Sequence, residues 1–341
     1  MKKVQLRFDQ GATDLYFDAS PTLLSKLTQN NATVYITDEH VFQAHPSLFK
    51  NRNVIVLKPG EQYKILATVE GVVQQLLAMQ ADRSFTLVGV GGGVVTDLTG
   101  FVASVYMRGI RFGFVPTSLL AMVDASLGGK NGLDFGVFKN IIGVVQQPSF
   151  ILYDPRLLKT LPEAEWRNGF AEIIKHAAIA DAAMFTMLAK NNIKTYQRSK
   201  LKLSELIRRN VLIKSRIVKQ DPFEKGPRRL LNFGHTLGHA LENQYELSHG
   251  EAISIGMAYA ALISELHTKF GHAEKLVSLL ERYNLPAFAV FDHDRVMKVL
   301  NMDKKRASSH MHYVMLERIG KGMVQSIPLE QLSNYLKNLQ A

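Results

Sequence analysis

The sequence predicts an α/β N-terminal domain built on a parallel sheet, followed by an all-α C-terminal domain. Two observations support this prediction. Short β-rich runs alternate with helical periodicity over the first 150 residues, and long helical patterns dominate after Asp154. Alternating strands and helices are typical of parallel sheets with helical crossover connections. We therefore place the domain boundary after residue 154, which gives domains 1–154 and 155–341.

The N-terminal elements follow from the spacing and type of the apolar residues. β-Branched and aromatic residues concentrate in short runs, as they do in strands. The predicted strands are Thr33–Thr37, Asn53–Leu57, Phe85–Val90, Phe112–Val115 and, as a strand or extended segment, Gln146–Tyr153. The clearest helix of this region is Tyr63–Gln80, where apolar residues recur three and four positions apart.

The C-terminal elements are mainly helical. Long helical patterns cover Glu163–Lys190, Lys200–Lys219, Gly234–Gln244 and Glu251–Phe270, and a strand signal returns at His312–Leu316. In proteins that combine two such domains, ligands commonly bind in a cleft at the carboxyl ends of the parallel strands. We expect a ligand cleft between the domains for the same reason.

The composition excludes several classes of protein. The chain has 341 residues, 46% hydrophobic and 21% charged, which fits a globular protein and not a disordered one. The absence of cysteine excludes disulfides and thiolate metal sites, so a metal would need histidine and carboxylate ligands. The basic N-terminus lacks the apolar core of a signal peptide. The longest weakly charged stretch, residues 85–107, contains Asp97 and five glycines, so we expect a cytoplasmic protein without a membrane span.

The positive charge is concentrated in one segment. The formal net charge is +11, but residues 1–170 are nearly balanced, with 16 basic and 14 acidic side chains. Residues 194–229 alone contain 12 basic and three acidic side chains. Such a segment either faces an anionic ligand or forms a solvated helix face. Nucleic-acid binding is disfavoured, because Tyr196 and Phe223 are the segment's only aromatic residues and it has no recognised binding motif.

A glycine-rich motif follows the third predicted strand. Residues 89–100 read GVGGGVVTDLTG and open a predicted helix. Glycines let backbone N–H groups approach a pyrophosphate, and a helix N-terminus favours the anion. The spacing does not give GxGxxG, because positions 94 and 96 are Val and Thr. The motif therefore indicates either a Rossmann-like nucleotide site or a turn without a ligand. Asp38, at the end of the first clear strand, is a candidate for binding ribose hydroxyls.

Histidines at helical spacing provide a candidate metal site. The run NFGHTLGH places His235 and His239 one helical turn apart, on one face of a helix. His249 begins another helical segment, and Glu172 lies in GFAEIIKH. Spacing alone favours His235 and His239 as ligands, with His249 or Glu172 as the third. The alternative is a polar helix stripe at a domain interface.

A third group of charged and polar residues lies among glycines and small residues. It comprises Arg108, Asp124, Lys130, Lys139 and Asn140. Charged side chains in such surroundings favour a ligand-facing position over a core position, although an isolated lysine is usually a surface residue.

These motifs together resemble the 3-dehydroquinate synthase family of the sugar-phosphate cyclase group. The resemblance runs from about Pro59 to Gly320. It rests on GGGVVTDLTGFVASVYMRGIRF, VPTSLLAMVDASLGGKNG, FKNIIG, LKTLPEAEWRNGFAEIIKH, LLNFGHTLGHALE and HGEAISIGM, in this order. It implies an N-terminal nucleotide-binding domain and a C-terminal helical domain, as the periodicity also predicts.

The resemblance also implies an activity. The family converts 3-deoxy-D-arabino-heptulosonate 7-phosphate to 3-dehydroquinate and phosphate, in the shikimate pathway of aromatic amino acid biosynthesis. The enzyme is a carbon–oxygen lyase that acts by NAD-mediated oxidation, phosphate elimination, reduction and intramolecular aldol closure. The implied cofactors are NAD, in catalytic amounts, and a divalent metal, zinc or cobalt. The implied assembly is a homodimer.

The resemblance assigns roles to individual residues. The implied metal ligands are Glu172, His235 and His249, which moves His239 from the metal to the substrate side. The implied cofactor contacts are Asp38, Glu61, Lys64, Gly92, Gly93, Asp97, Thr117, Ser118, Lys130, Lys139, Leu158 and Thr160. The implied catalytic residues are Lys130, Lys175, Glu224, Asn232 and His239. The implied substrate-binding residues are Arg108, Asp124, Lys139, Asn140, Lys214, Arg228 and either Lys304 or Lys305.

The chain departs from the family pattern at four positions. Thr96 stands where the family usually has Gly, and Ala125, Asn131 and Asp134 stand where Ser, Thr and Asn are common. None of these changes replaces a metal ligand or a proposed substrate-binding cation. Two related activities remain as alternatives: a cyclase for another sugar phosphate, and a polyol dehydrogenase. The dehydrogenase would form net NADH and would not need phosphate-binding cations.

Overall fold

The structure is a computed structural model that describes residues 1–8, 11–136, 138–242, 244–302 and 310–340. The chain divides into two compact units, which are Met1–Glu165 with Ser199–Pro222, and Trp166–Arg198 with Phe223–Ala341. The strands are β1 (Lys2–Phe8), β2 (Gly11–Phe17), β3 (Thr33–Asp38), β4 (Asn53–Leu57), β5 (Thr86–Gly91), β6 (Arg111–Pro116), β7 (Lys130–Phe135), β8 (Phe138–Val145), β9 (Phe150–Tyr153), β10 (His310–Arg318) and β11 (Lys321–Pro328). The helices are α1 (Leu24–Leu27), α2 (Glu39–Ala44), α3 (Leu66–Ala78), α4 (Gly93–Val105), α5 (Glu163–Ala180), α6 (Ala182–Ala189), α7 (Ile193–Arg198), α8 (Lys200–Gln220), α9 (His235–Glu242), α10 (His249–His267), α11 (Ala273–Arg282), α12 (His293–Met302) and α13 (Leu329–Gln340).

The first unit is organised around a seven-stranded sheet with the order β1-β2-β9-β6-β5-β3-β4. Every neighbouring pair is parallel except β1 and β2, which form an antiparallel hairpin at one edge. The interior strand β5 is buried along its whole length. A parallel strand covered on both faces has a continuous apolar sequence, and β5 reads TLVGVG. The order of the strands places the ends of β5, β6 and β3 side by side, where ligands bind to sheets of this type.

A second, two-stranded sheet of the first unit consists of the antiparallel pair β7 and β8. The pairing is irregular between Leu133 and Phe135. The sequence did not predict this hairpin, because its polar and glycine residues conceal the two-residue alternation of a strand. Helix α4 contacts β7 as well as β5, so the hairpin lies beside the glycine-rich helix.

The second unit is mostly helical and contains one hairpin, β10–β11. Its core includes the fully buried Phe170, whose ring centroid lies 4.7 Å from that of Tyr283 and 5.5 Å from that of Tyr196. The helix predicted over residues 163–190 is divided into α5 and α6 at Asp181, which has non-helical backbone angles. Its side chain accepts a hydrogen bond from the Met184 N–H at 2.9 Å, so Asp181 begins α6 as an N-cap.

The predicted fold class is confirmed: a parallel-dominated sheet with helices precedes a mostly helical C-terminal half. The boundary after residue 154 and the cleft between domains stay predictions. The compact units change at residue 165, and residues 199–222 return to the first unit. Among the residues that the structure describes, no helix is both long enough and apolar enough to cross a membrane.

Candidate active site

The glycine-rich motif forms the turn between β5 and α4. Gly92 caps α4, and no side chain provides the capping hydrogen bond. The Thr117 N–H donates to the Gly91 carbonyl at 2.9 Å, which joins the end of β6 to this turn. A Cβ atom added at Gly92 would lie 3.5 Å from the Ser118 hydroxyl oxygen. The structure therefore brings the predicted cofactor residues Gly92, Gly93, Thr117 and Ser118 to the carboxyl ends of β5 and β6, where the N-terminus of α4 suits an anion.

A charge cluster lies beside this turn. Lys64 Nζ is 2.9 Å from Asp97 Oδ2 and 3.2 Å from Glu61 Oε1, and the lysine is buried. Burial alone would lower the pKa of Lys64, but the Asp97 and Glu61 carboxylates raise it above its ordinary value. Burial raises the pKa of Asp97 to about 6, against the opposing effect of Lys64. The three predicted cofactor residues thus form one ion-pair group in which Lys64 is held in its charged form.

Three other predicted cofactor residues have structural roles. Asp38 is the N-cap of α2, and its side chain accepts a hydrogen bond from the Val41 N–H at 2.9 Å. Leu158 is buried in a short 3₁₀ turn, and Thr160 ends this turn with its hydroxyl 3.3 Å from His45 Nε2. These contacts explain why the residues occupy their positions without a ligand, and they leave the cofactor roles as predictions.

The predicted substrate and catalytic residues of the first unit lie on separate elements. Lys214, on α8, is buried, and its Nζ lies 2.7 Å from Asp124 Oδ1 and 2.8 Å from the Asp124 carbonyl oxygen. Arg108 is exposed at the end of a turn with a left-handed backbone, φ +66°. Lys130 begins β7, and Lys139 and Asn140 lie on β8.

The predicted metal ligands of the second unit meet around one carboxylate. Glu172, on α5, is fully buried. Its Oε1 lies 3.2 Å from His249 Nε2 and 3.5 Å from His235 Nε2. One ligand atom from each of the three residues lies within 4.8 Å of the others. Two imidazoles and one carboxylate are the donor set of a catalytic zinc or cobalt site, so these residues fit the predicted metal.

The two histidines have opposite protonation preferences. Burial, together with the nearby Lys175 ammonium, holds the pKa of His235 well below its ordinary value, despite Glu172. Burial also opposes the charge on His249, but hydrogen bonds to Glu172 and Glu242 raise the pKa of His249 to about 10. His235 is therefore neutral and ready to bind a metal at neutral pH, whereas His249 must first lose a proton.

Close packing of α9 against α10 brings these histidines together. A Cβ atom on Gly256 would lie 1.9 Å from the carbonyl oxygen of Gly234, the residue just before α9. Gly234 itself has φ +79°, a left-handed conformation that favours glycine. Glycine at these two positions lets the helices approach closely enough for His235 and His249, the first residues of α9 and α10, to meet at Glu172.

Other predicted residues of the second unit lie on α5 or in the segment that precedes α9. Lys175 Nζ forms a buried ion pair with Glu172 Oε2. Asn232 Nδ2 donates a hydrogen bond to Glu224 Oε1. Arg228 is buried in the 3₁₀ turn that precedes α9. Lys304 and Lys305 lie outside the described residues.

His239 is exposed on α9, and its ring centroid is 5.0 Å from that of His235. It belongs to a second group of possible ligands, His239, Glu242 and His249. His239 thus lies near the predicted metal ligands, but the two histidines that contact Glu172 are His235 and His249.

Sequence reasoning missed two residues of this region. Glu242 Oε2 lies 3.4 Å from His249 Nδ1, on the side of the ring opposite to Glu172. Asn168 Oδ1 accepts a hydrogen bond from the Gly250 N–H at 3.0 Å and so holds the start of α10 against α5. Glu242 lies one turn after His239, but helical spacing does not reveal which residue of another helix it faces.

Comparison with known proteins decides the family. Sequence models described as 3-dehydroquinate synthase N-terminal and 3-dehydroquinate synthase C-terminal match residues 54–168 and 169–306. The chain belongs to the 3-dehydroquinate synthase family. It is 38% identical over 329 residues to the 3-dehydroquinate synthase of Saccharolobus solfataricus, which covers 93% of both chains. It is 42% identical over 277 residues to that of Pyrococcus furiosus, which covers 80% of both.

Solved structures share the fold over the whole chain. A 2-epi-5-epi-valiolone synthase from Streptomyces hygroscopicus, solved with NAD+ and Zn2+ bound, is 25% identical with a TM-score of 0.85, and the match covers 99% of this chain and 98% of that one. A 2-deoxy-scyllo-inosose synthase, solved with carbaglucose-6-phosphate, NAD+ and Co2+, has a TM-score of 0.86 at 24% identity and covers 99% of both chains. The second similarity shows the fold alone.

Proposed function

We propose that this chain is a carbon–oxygen lyase that converts 3-deoxy-D-arabino-heptulosonate 7-phosphate to 3-dehydroquinate and phosphate. The observation that carries the proposal is the group of Glu172, His235 and His249 in a member of the 3-dehydroquinate synthase family. The group has the donor atoms of a catalytic metal site, and the chain matches curated synthases over nearly its full length.

The proposal includes two cofactors, NAD and one divalent metal. The turn at Gly92 and Gly93 supplies an anion-binding helix N-terminus for NAD, and the charged cluster around Lys64 lies beside it. Bound NAD supplies reversible hydride acceptance, so the net reaction consumes none of it. A metal held by the Glu172 group supplies Lewis acidity toward substrate hydroxyls. The NAD and zinc in the valiolone synthase structure support both assignments.

The proposed substrate-binding residues contact different groups of the substrate. Arg108, Lys139 and Asn140 bind the substrate phosphate, which is the leaving group. Lys214 and Arg228 bind the carboxylate, and burial of both side chains keeps water from screening this contact. Lys214 is already oriented by Asp124, so little side-chain freedom is lost when the substrate binds.

Several side chains can hold or move protons. Lys175 forms a buried ion pair with Glu172 Oε2, which holds that carboxylate in place beside the two histidines. His239 is exposed next to His235, so its ring nitrogens can exchange protons with substrate and solvent. The Asn232 amide is held by Glu224, which fixes its remaining hydrogen-bonding direction toward a substrate hydroxyl.

The proposal also includes a cytoplasmic location and a homodimeric assembly. Sedimentation of the purified protein tests whether it is a dimer.

The proposed reaction has a distinctive stoichiometry. Metal-loaded protein with trace NAD is expected to release one phosphate for each dehydroquinate formed, with no net NADH. Phosphate release and absorbance at the NADH band check this together. Stoichiometric accumulation of NADH would identify a polyol dehydrogenase instead, and absence of phosphate release from this substrate would exclude the synthase.

Metal binding is expected to depend on pH. His249, with its pKa of about 10, binds a proton at neutral pH when the metal is absent, and metal binding must displace it. The metal affinity should therefore increase by about tenfold for each pH unit between pH 6 and 9. Titration of the metal-free protein with Zn2+ or Co2+ at several pH values measures the slope. An affinity independent of pH would show that His249 loses no proton when the metal binds.

A further inference from the structure

Asp134 contacts three of the predicted ligand-binding residues of the first unit. It lies on β7, and only 9% of its side chain is exposed. Its Oδ2 is 3.1 Å from Lys139 Nζ, and its Oδ1 accepts a hydrogen bond from the Asn140 backbone N–H at 2.8 Å. Its own backbone N–H donates to the Lys64 carbonyl at 2.8 Å. No sequence motif assigned a role to this residue, which stands out only as a departure from the common Asn.

The contact with Asn140 compensates for a local irregularity of the hairpin. The β7–β8 pairing shifts between Leu133 and Phe135, so regular ladder hydrogen bonds are interrupted at Asp134. Asn140, across the hairpin, has a left-handed backbone with φ +51°. Such a conformation is costly for a residue other than glycine and persists only where its surroundings hold it. The Asp134 carboxylate provides that support by accepting the Asn140 N–H.

The contact with Lys139 fixes the direction of a long and flexible side chain. Lys139 is partly exposed, and its other carboxylate neighbour, Glu61, is more distant, at 3.7 Å. Without Asp134, the ammonium would be drawn toward Glu61 or would sample several rotamers in solvent. Asp134 therefore controls the placement of two of the three residues to which the proposed function assigns the substrate phosphate.

We propose that Asp134 is a positioning residue that holds Lys139 and Asn140 in the arrangement that binds the phosphate group. The inference rests on the proposed function for the identity of the substrate. It adds a group that does not itself touch phosphate, because a carboxylate would repel that anion. Its effect is transmitted through the lysine ammonium and the asparagine backbone.

The test compares Asp134→Ala and Asp134→Asn by calorimetric titration of the metal- and NAD-loaded protein with inorganic phosphate. Asp134→Ala removes both contacts and should weaken phosphate binding by about tenfold. Asp134→Asn keeps an oxygen that can accept the Asn140 N–H and should weaken it only by about threefold. Steady-state kinetics with the heptulosonate phosphate should show the same ratios in KM, with kcat changed by less than about twofold.

A double-mutant cycle with Lys139→Met separates positioning from general support of the fold. Asp134→Asn mainly removes the ion pair, so it should have no further effect on phosphate binding when Lys139 is already replaced. Asp82→Ala is the matched control, because Asp82 also accepts a backbone N–H, that of Ser84 at 2.8 Å, in an exposed turn. This control should bind phosphate as the unmodified protein does.

Each outcome of the test decides a different point. Unchanged or tighter phosphate binding by Asp134→Ala, or an equal effect of Asp134→Asn with and without Lys139, overturns the positioning role. If Asp134→Ala does not fold, Asp134→Asn decides, and an unchanged KM overturns the inference. If phosphate binding responds as expected but the unmodified protein does not convert the heptulosonate phosphate, the proposed function fails and the positioning role stands.

Discussion

Replacement of His249 by alanine is expected to lower metal affinity by at least about a hundredfold and to abolish turnover at ordinary metal concentrations. The substitution removes one of the three candidate ligands and leaves only Glu172 and His235 to bind the metal. Two ligands bind zinc much more weakly than three, because the metal loses a coordinate bond and keeps more water. Metal content after dialysis and Co2+ absorption spectra measure the loss directly.

His239→Ala is the matched control for this prediction. His239 is exposed and lies outside the Glu172 group, so the variant should retain the metal and lose activity. Equal loss of metal in His239→Ala and His249→Ala would instead favour the second group, in which His239 and Glu242 share His249. Glu172→Gln and Glu242→Gln then make the same distinction from the carboxylate side. Loss of metal only in Glu242→Gln would contradict the site proposed here.

Gly256→Ala is expected to destabilise the protein by about 3 kcal/mol and to weaken metal binding at the same time. The added Cβ would lie 1.9 Å from the Gly234 carbonyl oxygen, well inside van der Waals contact. Because this neighbour is backbone, no change of rotamer can relieve the overlap, and α10 must move away from α9. His249 begins α10, so the displacement also separates it from His235.

Gly71→Ala provides the control for a helical glycine. Gly71 lies within α3, and a Cβ atom there would meet nothing within 4 Å. This variant should be more stable by about 0.5–1 kcal/mol, because alanine restricts the unfolded chain and favours helix. Thermal or urea unfolding measures both variants, and metal titration measures the coupling for Gly256→Ala. Normal stability with normal metal affinity in Gly256→Ala would show that the close approach of α9 and α10 is not needed.

Much of the fold could be predicted from local patterns. The strand Asn53–Leu57 was predicted at its observed bounds, and the helix predicted over Lys200–Lys219 differs from α8 by one residue. Such long or strongly patterned elements carry their signal in their own residues. The hairpin β7–β8 was missed, because its polar and glycine residues conceal the alternation of a strand and its contact with α4 is not visible in its local sequence.

The candidate site, like the fold, could be predicted only in part from the sequence. Helical spacing paired His235 with His239, since only i and i+4 neighbours can be related from one segment. The resemblance to the family replaced that pair by Glu172, His235 and His249, and the structure brings these three together. The exact partners of each side chain could not be predicted, because they belong to helices that are distant in sequence. Asn168 is an example, because it accepts a hydrogen bond from the N–H of Gly250, which lies 82 residues later on another helix.

The sequence by itself determined the fold class, the glycine-rich turn between β5 and α4, the absence of thiolate ligands and the family. These properties can be recognised from residue types and from short spacings along the chain. Only the tertiary structure showed that His249 lies between Glu172 and Glu242 and that Asp134 contacts both Lys139 and Asn140. These contacts depend on how closely α9 approaches α10 and on the irregular pairing of β7 with β8. Both are properties of packing between segments and not of any single segment.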